Sequence, residues 1–331
     1  MPKYCTDEQI IEAWQKLGTA KKVSDALDLD IRQVYFRRRK IEAARGISLA
    51  SRSTRNRAGP NIVKAKAQDA LAAARAEKYE REMTETVRNG TIIVASDCHY
   101  WPGMVSPAHE AMLRLIKALK PDIVVLNGDI LDGARISRHA RIMWEKQPSL
   151  KDELHAVQDR CAEIERAAGR ARLVRTIGNH DARFENYWSA NTPEGEDMPG
   201  MTLLDYLPRW RAGWALHVNT DTDGWTVIRH RPVSGGIHSA YNSTLRAGTH
   251  YVHGHLHKLG VTAWGDYRGR RYGVDTGTLA EINGPQFNYT EAAPHNWASG
   301  FAVLTFREGR LLNPELAVFE AGGVHFRGQP V

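Results

Sequence analysis

Five places along this 331-residue chain carry residues able to hold a metal ion, and each follows a run of apolar residues. In order they are Asp97-Cys98-His99, Gly128-Asp129-Ile130-Leu131-Asp132, Gly178-Asn179-His180-Asp181, His230, and Gly254-His255-Leu256-His257. Carboxylate oxygens, an amide oxygen and neutral imidazoles form a mixed donor set, which suits manganese, iron or zinc rather than calcium or magnesium alone. On an extended segment alternate side chains face the same way, so Asp97 and His99 are expected on one side, as are His255 and His257. Glycines 128, 178 and 254 let the backbone turn closely around such a centre. Cys98, between two ligand types, reads as a small buried side chain rather than a nucleophile.

The elements needed to position these residues are legible from apolar patterning. Residues 91–96, 122–127, 172–177, 225–229 and 249–253 read as short, mostly buried strands, and residues 107–119 and 150–169 have helical spacing. Strand alternating with helix implies an α/β sheet whose ligands gather beyond the carboxyl ends of its strands.

The ordered set D-x-H, G-D-x-x-D, G-N-H-[DE], H, G-H-x-H resembles the motifs of the calcineurin-like metallophosphoesterase superfamily. The strings NGDILDGARISRH and GNHDARFENY, with Arg183 two places after the third motif, resemble its phage-encoded branch. The resemblance implies a four-layer αββα sandwich over residues 90–331. It also implies two divalent transition-metal ions, manganese foremost, with iron or zinc as alternatives. Asp97, His99 and His257 would hold one metal and Asn179, His230 and His255 the other, with Asp129 bridging. Two cations ~3.5–4 Å apart, sharing an anionic ligand and a hydroxide, can clamp both oxygens of an in-line phosphoryl displacement. His180 would be the general acid, with Asp132 bonding its far nitrogen and keeping the imidazole charged. Arg183 would stabilise phosphate oxygens or tie down its loop, and Asp181 would support that loop. His230 is favoured over His238 as the lone-histidine ligand because it directly ends a strand-like run. His139, His217, His250, His253 and His295 read as ordinary structural histidines. Arg135 and Arg138 line the cleft or are surface charges, and Trp210, Trp214 and Trp225 read as core.

The front of the chain differs from this body. Residues 1–90 hold 19 Lys/Arg against 12 Asp/Glu, a surplus equal to the whole formal charge of +7, and all fourteen histidines lie later. Thr6 with Gln9 caps a first helix carrying Ile10, Ile11, Trp14 and Leu17, which Gly18 ends. Thr19 caps a second helix with Val23, Ala26 and Leu27. A turn at Asp28-Leu29-Asp30 leads into a third, where Asp30 and Gln33 repeat the capping pattern. That helix is expected to bury Ile31, Val34 and Ile41 and to turn Arg32, Gln33, Arg37, Arg39 and Lys40 outward. Residues 1–45 therefore resemble the small all-α helix-turn-helix domains of phage and bacterial proteins, with Asp28 where such turns often have glycine. Residues 46–89 read as a linker with Arg52, Arg55 and Arg57, followed over residues 61–87 by an exposed helix.

The chain has no apolar run of membrane-spanning length and does not open like a signal peptide. Three cysteines without a shared short spacing argue for reduced thiols in a cytoplasm, that of a bacterium or a phage-infected host. The expected activity is phosphoester hydrolysis by metal-activated hydroxide, directed at DNA by the front domain. The alternative is a protein phosphatase or small-nucleotide phosphodiesterase with the front as a docking module. A DNA-binding regulator with a lapsed site is disfavoured by the intact ligand set.

Overall fold

A computed structural model describes residues 5–49, 79–138, 145–195, 198–291, 293 and 295–331. The chain divides into two compact units, Met1–Ala74 and Arg75–Val331. The expected linker arginines at 52, 55 and 57, residues 61–78 of the expected exposed helix, and His139 lie outside the described residues.

In the first unit, α1 (Asp7–Leu17) begins at a formed capping box between Thr6 and Gln9 and ends on left-handed Gly18. Helix α2 (Ala20–Leu27) is capped by Thr19 and ends on Asp28, itself left-handed at φ 50°. Asp28 thus adopts the conformation glycine usually supplies in such a turn. Helix α3 (Ile31–Arg45) is capped by Asp30, which accepts from the Arg32 amide rather than completing a box with Gln33. Ile10, Trp14, Val23, Val34 and Ile41 form the core. Ile31, expected inside, is 39% exposed, whereas Val34 of the same turn is fully buried.

In the second unit, periodic strands build two sheets among the described residues. The first runs β1 (Tyr79–Glu80), β6 (Arg211–Gly213), β5 (Arg172–Thr176), β4 (Ile123–Asn127), β3 (Gly90–Ala95), β12 (Gly300–Arg307), β14 (Glu315–Glu320), β15 (Gly323–Phe326) and β16 (Gln329–Pro330), with β13 (Arg310–Leu311) beside β12. Its centre, β6-β5-β4-β3, is parallel. The second sheet runs β10 (Leu259–Asp266), β11 (Gly269–Thr276), β9 (His250–His253), β8 (Thr226–Ile228), β7 (Leu216–Val218) and β2 (Met83–Glu85).

Both faces of the central strands are apolar, as a doubly covered sheet requires. Ile92 and Val94 of β3 face the second sheet with Ile228, Val252 and Val274. Ile93 and Ala95 face the other way, into a core with α4 (Pro107–Leu119) and α5 (Leu150–Ala168). Helix α6 (Asp181–Asn191) follows β5, and α7 (Ser239–Ala247) covers the second sheet. The result is the expected order of layers: helix, sheet, sheet, helix.

One element reverses its expected character. Residues 79–87 are not the end of an exposed helix, since β1 pairs with β6 and β2 with β7. Met83 and Val87 lie fully within the core between the sheets. Long-range pairing overrides the local helical composition. No helix of the described residues is long and apolar enough to cross a membrane, and Cys5, Cys98 and Cys161 are buried and unpaired.

Candidate metal centre

The five motif segments follow the carboxyl ends of β3, β4, β5, β8 and β9, and they meet there. Asp97, His99 and His257 present donor atoms within 4.8 Å of one another, and so do Asp129, His230 and His255. The Nε2 of His230 lies 3.3 Å from the Asn179 amide oxygen and 3.1 Å from an Asp129 oxygen, which draws Asn179 into the second group. Asp129 falls with that second group, one of its oxygens facing His230 and the other accepting from the His180 amide at 2.7 Å. His238 is exposed and joins neither group.

The expected reason for this convergence does not hold. Asp97, His99, Asp129, His255 and His257 all have left-handed backbone, with φ between 38° and 70°. They sit in loops past the strand ends, where alternation no longer applies, and His255 and His257 turn to different groups. Left-handed backbone at such side chains is strained and is held by its surroundings. The amides of Asp97, His99 and Tyr100 donate to the carbonyls of Gly128, Asp129 and Ile130, so the first two loops pair like a continued ladder. Gly178 and Gly254 are required by close approach. A Cβ on Gly178 would meet an Asp129 oxygen at 2.0 Å, and one on Gly254 would meet an Asp97 oxygen at 2.4 Å.

Orienting bonds leave the ligand atoms facing inward. The Nδ1 of His230 donates to the Asn127 carbonyl at 2.8 Å, which leaves Nε2 facing the centre. The Nδ1 of His99 is 2.9 Å from Asp132, while its Nε2 is buried without a hydrogen-bond partner among the described residues; one oxygen of Asp97 faces the His257 Nε2 at 3.2 Å. The other Asp97 oxygen accepts from Ser96 Oγ at 2.6 Å and from the His255 amide at 2.8 Å. Buried donor atoms that face one another, fixed by bonds behind them, fit divalent cations.

The electrostatics follow from charge crowding. Burial alone would raise the Asp97 carboxyl, but His257 and His230 hold it down to about 2. Burial works against the His230 proton, yet Asp129 and Asp97 raise it to about 10. Burial and the neighbouring His230 depress His255 to about 4. A cation would take the place of the proton that these carboxylates hold on His230.

Beside the ligands, Asp132 faces two imidazoles, His99 and, at 3.2 Å, the Nδ1 of His180. Burial lowers the His180 pKa, and Asp132 and Asp129 more than reverse it. Arg183 opposes them. Its guanidinium, which carries only donors, faces the His180 Nε2 at 3.0 Å and donates to the Asp132 carbonyl at 3.1 Å. The net effect favours the charged imidazole, with Arg183 working against it. Asp181 accepts from the amides of Gly178, Asp129, Ile130 and Leu131, joining the second and third loops.

Several contributors lie outside the motifs. Phe287 packs its ring 5.2 Å from those of both His99 and His257, and Trp297 sits edge-on to His257 at 4.4 Å. Glu153 of α5 accepts from the Gly133 and Ala134 amides beneath Asp132, and burial with Asp132 nearby raises it to about 7. Only Ser96 adjoined a motif; the rest arrive from distant segments without a local signal. Arg135 donates to the Gln147 carbonyl. Trp210 is core, whereas Trp214 and Trp225, expected inside, are 47% and 39% exposed. His250 and His253 are buried in the second sheet, and His295 stacks on Trp297.

In the first unit Arg32, Gln33, Arg39 and Lys40 of α3 are exposed. Arg37 is half-buried instead, donating to the Cys5 carbonyl and pairing with Asp7 at 2.5 Å. This ties α3 back to α1 and withdraws one charge from the expected set.

Residues 90–259, just over half of the chain, match the family model for calcineurin-like phosphoesterases. The chain belongs to that family of phosphoester hydrolases, and its donor groups mark a centre for divalent metal ions. It is 26% identical over 237 residues to the Gene 54 protein of Mycobacterium phage L5 and 28% over 240 residues to that of Mycobacterium phage D29, each match covering 64% of this chain and 88% of the relative. The zinc complex of Vps29 from Entamoeba histolytica is similar at 12% identity, with a TM-score of 0.40 over 72% of this chain and 97% of that one.

Proposed function

We propose that this chain is a two-metal phosphodiesterase acting on DNA, brought to it by the N-terminal unit. The carrying observation is the convergence of two donor groups, Asp97/His99/His257 and Asp129/Asn179/His230/His255, beside a carboxylate-bound histidine. Two bound divalent cations, manganese foremost, would supply hydroxide as nucleophile and neutralise phosphoryl charge, with Asp129 shared between them. Asp132 holds the His180 ring so that Nε2 faces the cleft. The neighbouring carboxylates favour the His180 imidazolium, whose Nε2 proton would pass to the departing alkoxide as Arg183 turns onto a phosphate oxygen.

DNA as substrate is supported by the basic front and by the exposed Arg32, Gln33, Arg39 and Lys40 on the third helix of a helix-turn-helix layout. A second reading makes that helix a protein-docking element, with the body acting on a phosphoprotein or small nucleotide. Tyr35 and Phe36, 50% and 71% exposed on α3, favour it. The test is hydrolysis by manganese-loaded wild type and His180→Ala across a monoester, a diester and single- and double-stranded DNA. We expect DNA cleavage, and a loss of at least ~100-fold in the variant on poor leaving groups. Diester hydrolysis with every DNA left intact rejects the nuclease.

A further inference from the structure

A cavity of about 460 Å³ opens beside His180, Asp132 and Arg183, and none of the seven expected metal ligands lines it. It therefore lies past the acid, where the leaving group departs, and it is of the size that small ligands fill. Its walls include two aromatic rings, Trp101 and Tyr289, and three carboxamides, Gln147, Gln286 and Asn288. Gln147 and Gln286 each have a side-chain oxygen buried without a hydrogen-bond partner among the described residues, and Gln286 is only 7% exposed. A buried acceptor without a donor is costly, and because both side chains line the cavity, turning the carboxamide end into it would let a bound molecule supply that donor.

We infer that this cavity is a nucleobase pocket, which receives the base attached to the leaving oxygen of the scissile phosphoester. The inference rests on the phosphoesterase reading above and narrows its substrate to esters of nucleosides. Aromatic rings offer faces on which any base stacks, and carboxamides read base edges. The unpartnered oxygens call for N–H donors, which the amino groups of adenine, cytosine and guanine present. The phenol ring of a phosphotyrosine would stack equally well but carries no N–H and would leave both oxygens unsatisfied. Glu145 and Lys146 both line the cavity, and their opposite charges offset each other. The pocket is thus suited to a base rather than to a run of phosphates.

The test compares calorimetric binding of AMP and ribose 5-phosphate to the full chain without added metal, so that no turnover intervenes. AMP is expected to bind at least ~10-fold tighter, the scale of one stacked base. Gln286→Ala and Gln147→Ala, on separate segments of the chain, should each remove most of that gap while leaving ribose 5-phosphate binding within about 2-fold. Equal binding of the two ligands by wild type overturns the pocket, and so does a variant that is folded yet keeps the full preference in both cases. Manganese-dependent hydrolysis of bis(p-nitrophenyl) phosphate tests the parent reading separately. Turnover without an AMP preference removes the pocket alone, whereas an AMP preference without turnover removes the hydrolytic reading and keeps the base site. Competition of AMP by a single-stranded pentanucleotide, lost when its terminal base is removed, assigns the pocket to a strand end. Competition by free nucleotides only assigns it to a small nucleotide, and either result upholds the base site.

Discussion

A histidine's role in this chain is decided by what its second nitrogen meets. His230 and His99 spend Nδ1 on a carbonyl and a carboxylate and keep Nε2 for the centre. His250 shows the structural alternative. Its Nδ1 accepts from the Tyr272 amide at 3.0 Å and its ring stacks on that tyrosine, so the fold requires it neutral. Burial and the nearby Arg271 lower it to about 4 from an ordinary 6.5. The unfolded chain takes up this proton below pH 6.5 and the folded chain only near pH 4. The neutral form therefore holds its full stability above 6.5, and up to ~3 kcal/mol is lost as the pH falls to 4. Urea unfolding of wild type and His250→Asn, which keeps an acceptor but cannot titrate, should show a stability gap that changes by that amount between pH 7 and 4. A gap independent of pH rejects the assignment.

Elements bring the residues near one another, and the loops between elements finish the site. Asp181 stands at the first residue of α6, yet its carboxylate receives four amides from the loops after β4 and β5. This anchor sets the mutual position of Asp129 and Asn179, which sit on different strands' loops. Replacing Asp181 by Ala strands four buried donors at about 1–3 kcal/mol each, only partly relieved by relaxation or water. We expect a loss of at least ~3 kcal/mol in stability and weaker metal binding. Asp181→Asn, which retains one acceptor oxygen, should be intermediate. Denaturant melts and metal titrations of the two variants measure both effects, and a fully stable Asp181→Ala protein contradicts the anchoring role.

At the scale of the molecule, the charge surplus and the ligand set reside in different compact units, Met1–Ala74 and Arg75–Val331. Each has its own apolar core, so each is expected to fold separately. A protein of residues 75–331 should hydrolyse a small diester at the wild-type rate within about 2-fold while losing the salt-steep part of its DNA affinity. Binding isotherms at 50 and 200 mM salt (approximate conditions, about a fourfold range) compare the two chains. If the shortened protein retains the full salt slope, DNA recognition does not lie in the front unit.

The sequence by itself determined the elements and the inventory of the site. Apolar runs of strand length, capping residues before α1, α2 and α3, and five ordered donor motifs are local properties, readable residue by residue. Tertiary structure decided whatever depends on distant partners. It converted residues 79–85 from expected helix to sheet edge, drew Arg37 back onto Asp7, and exposed Ile31. It also turned His255 and His257 apart and placed Arg183 on His180. Phe287, Trp297 and Glu153 reach the centre from segments with no motif of their own. The physical reason is the same in each case. A motif specifies which donor atoms are available, whereas their direction is set by left-handed loops that only long-range hydrogen bonds and packing can hold in place.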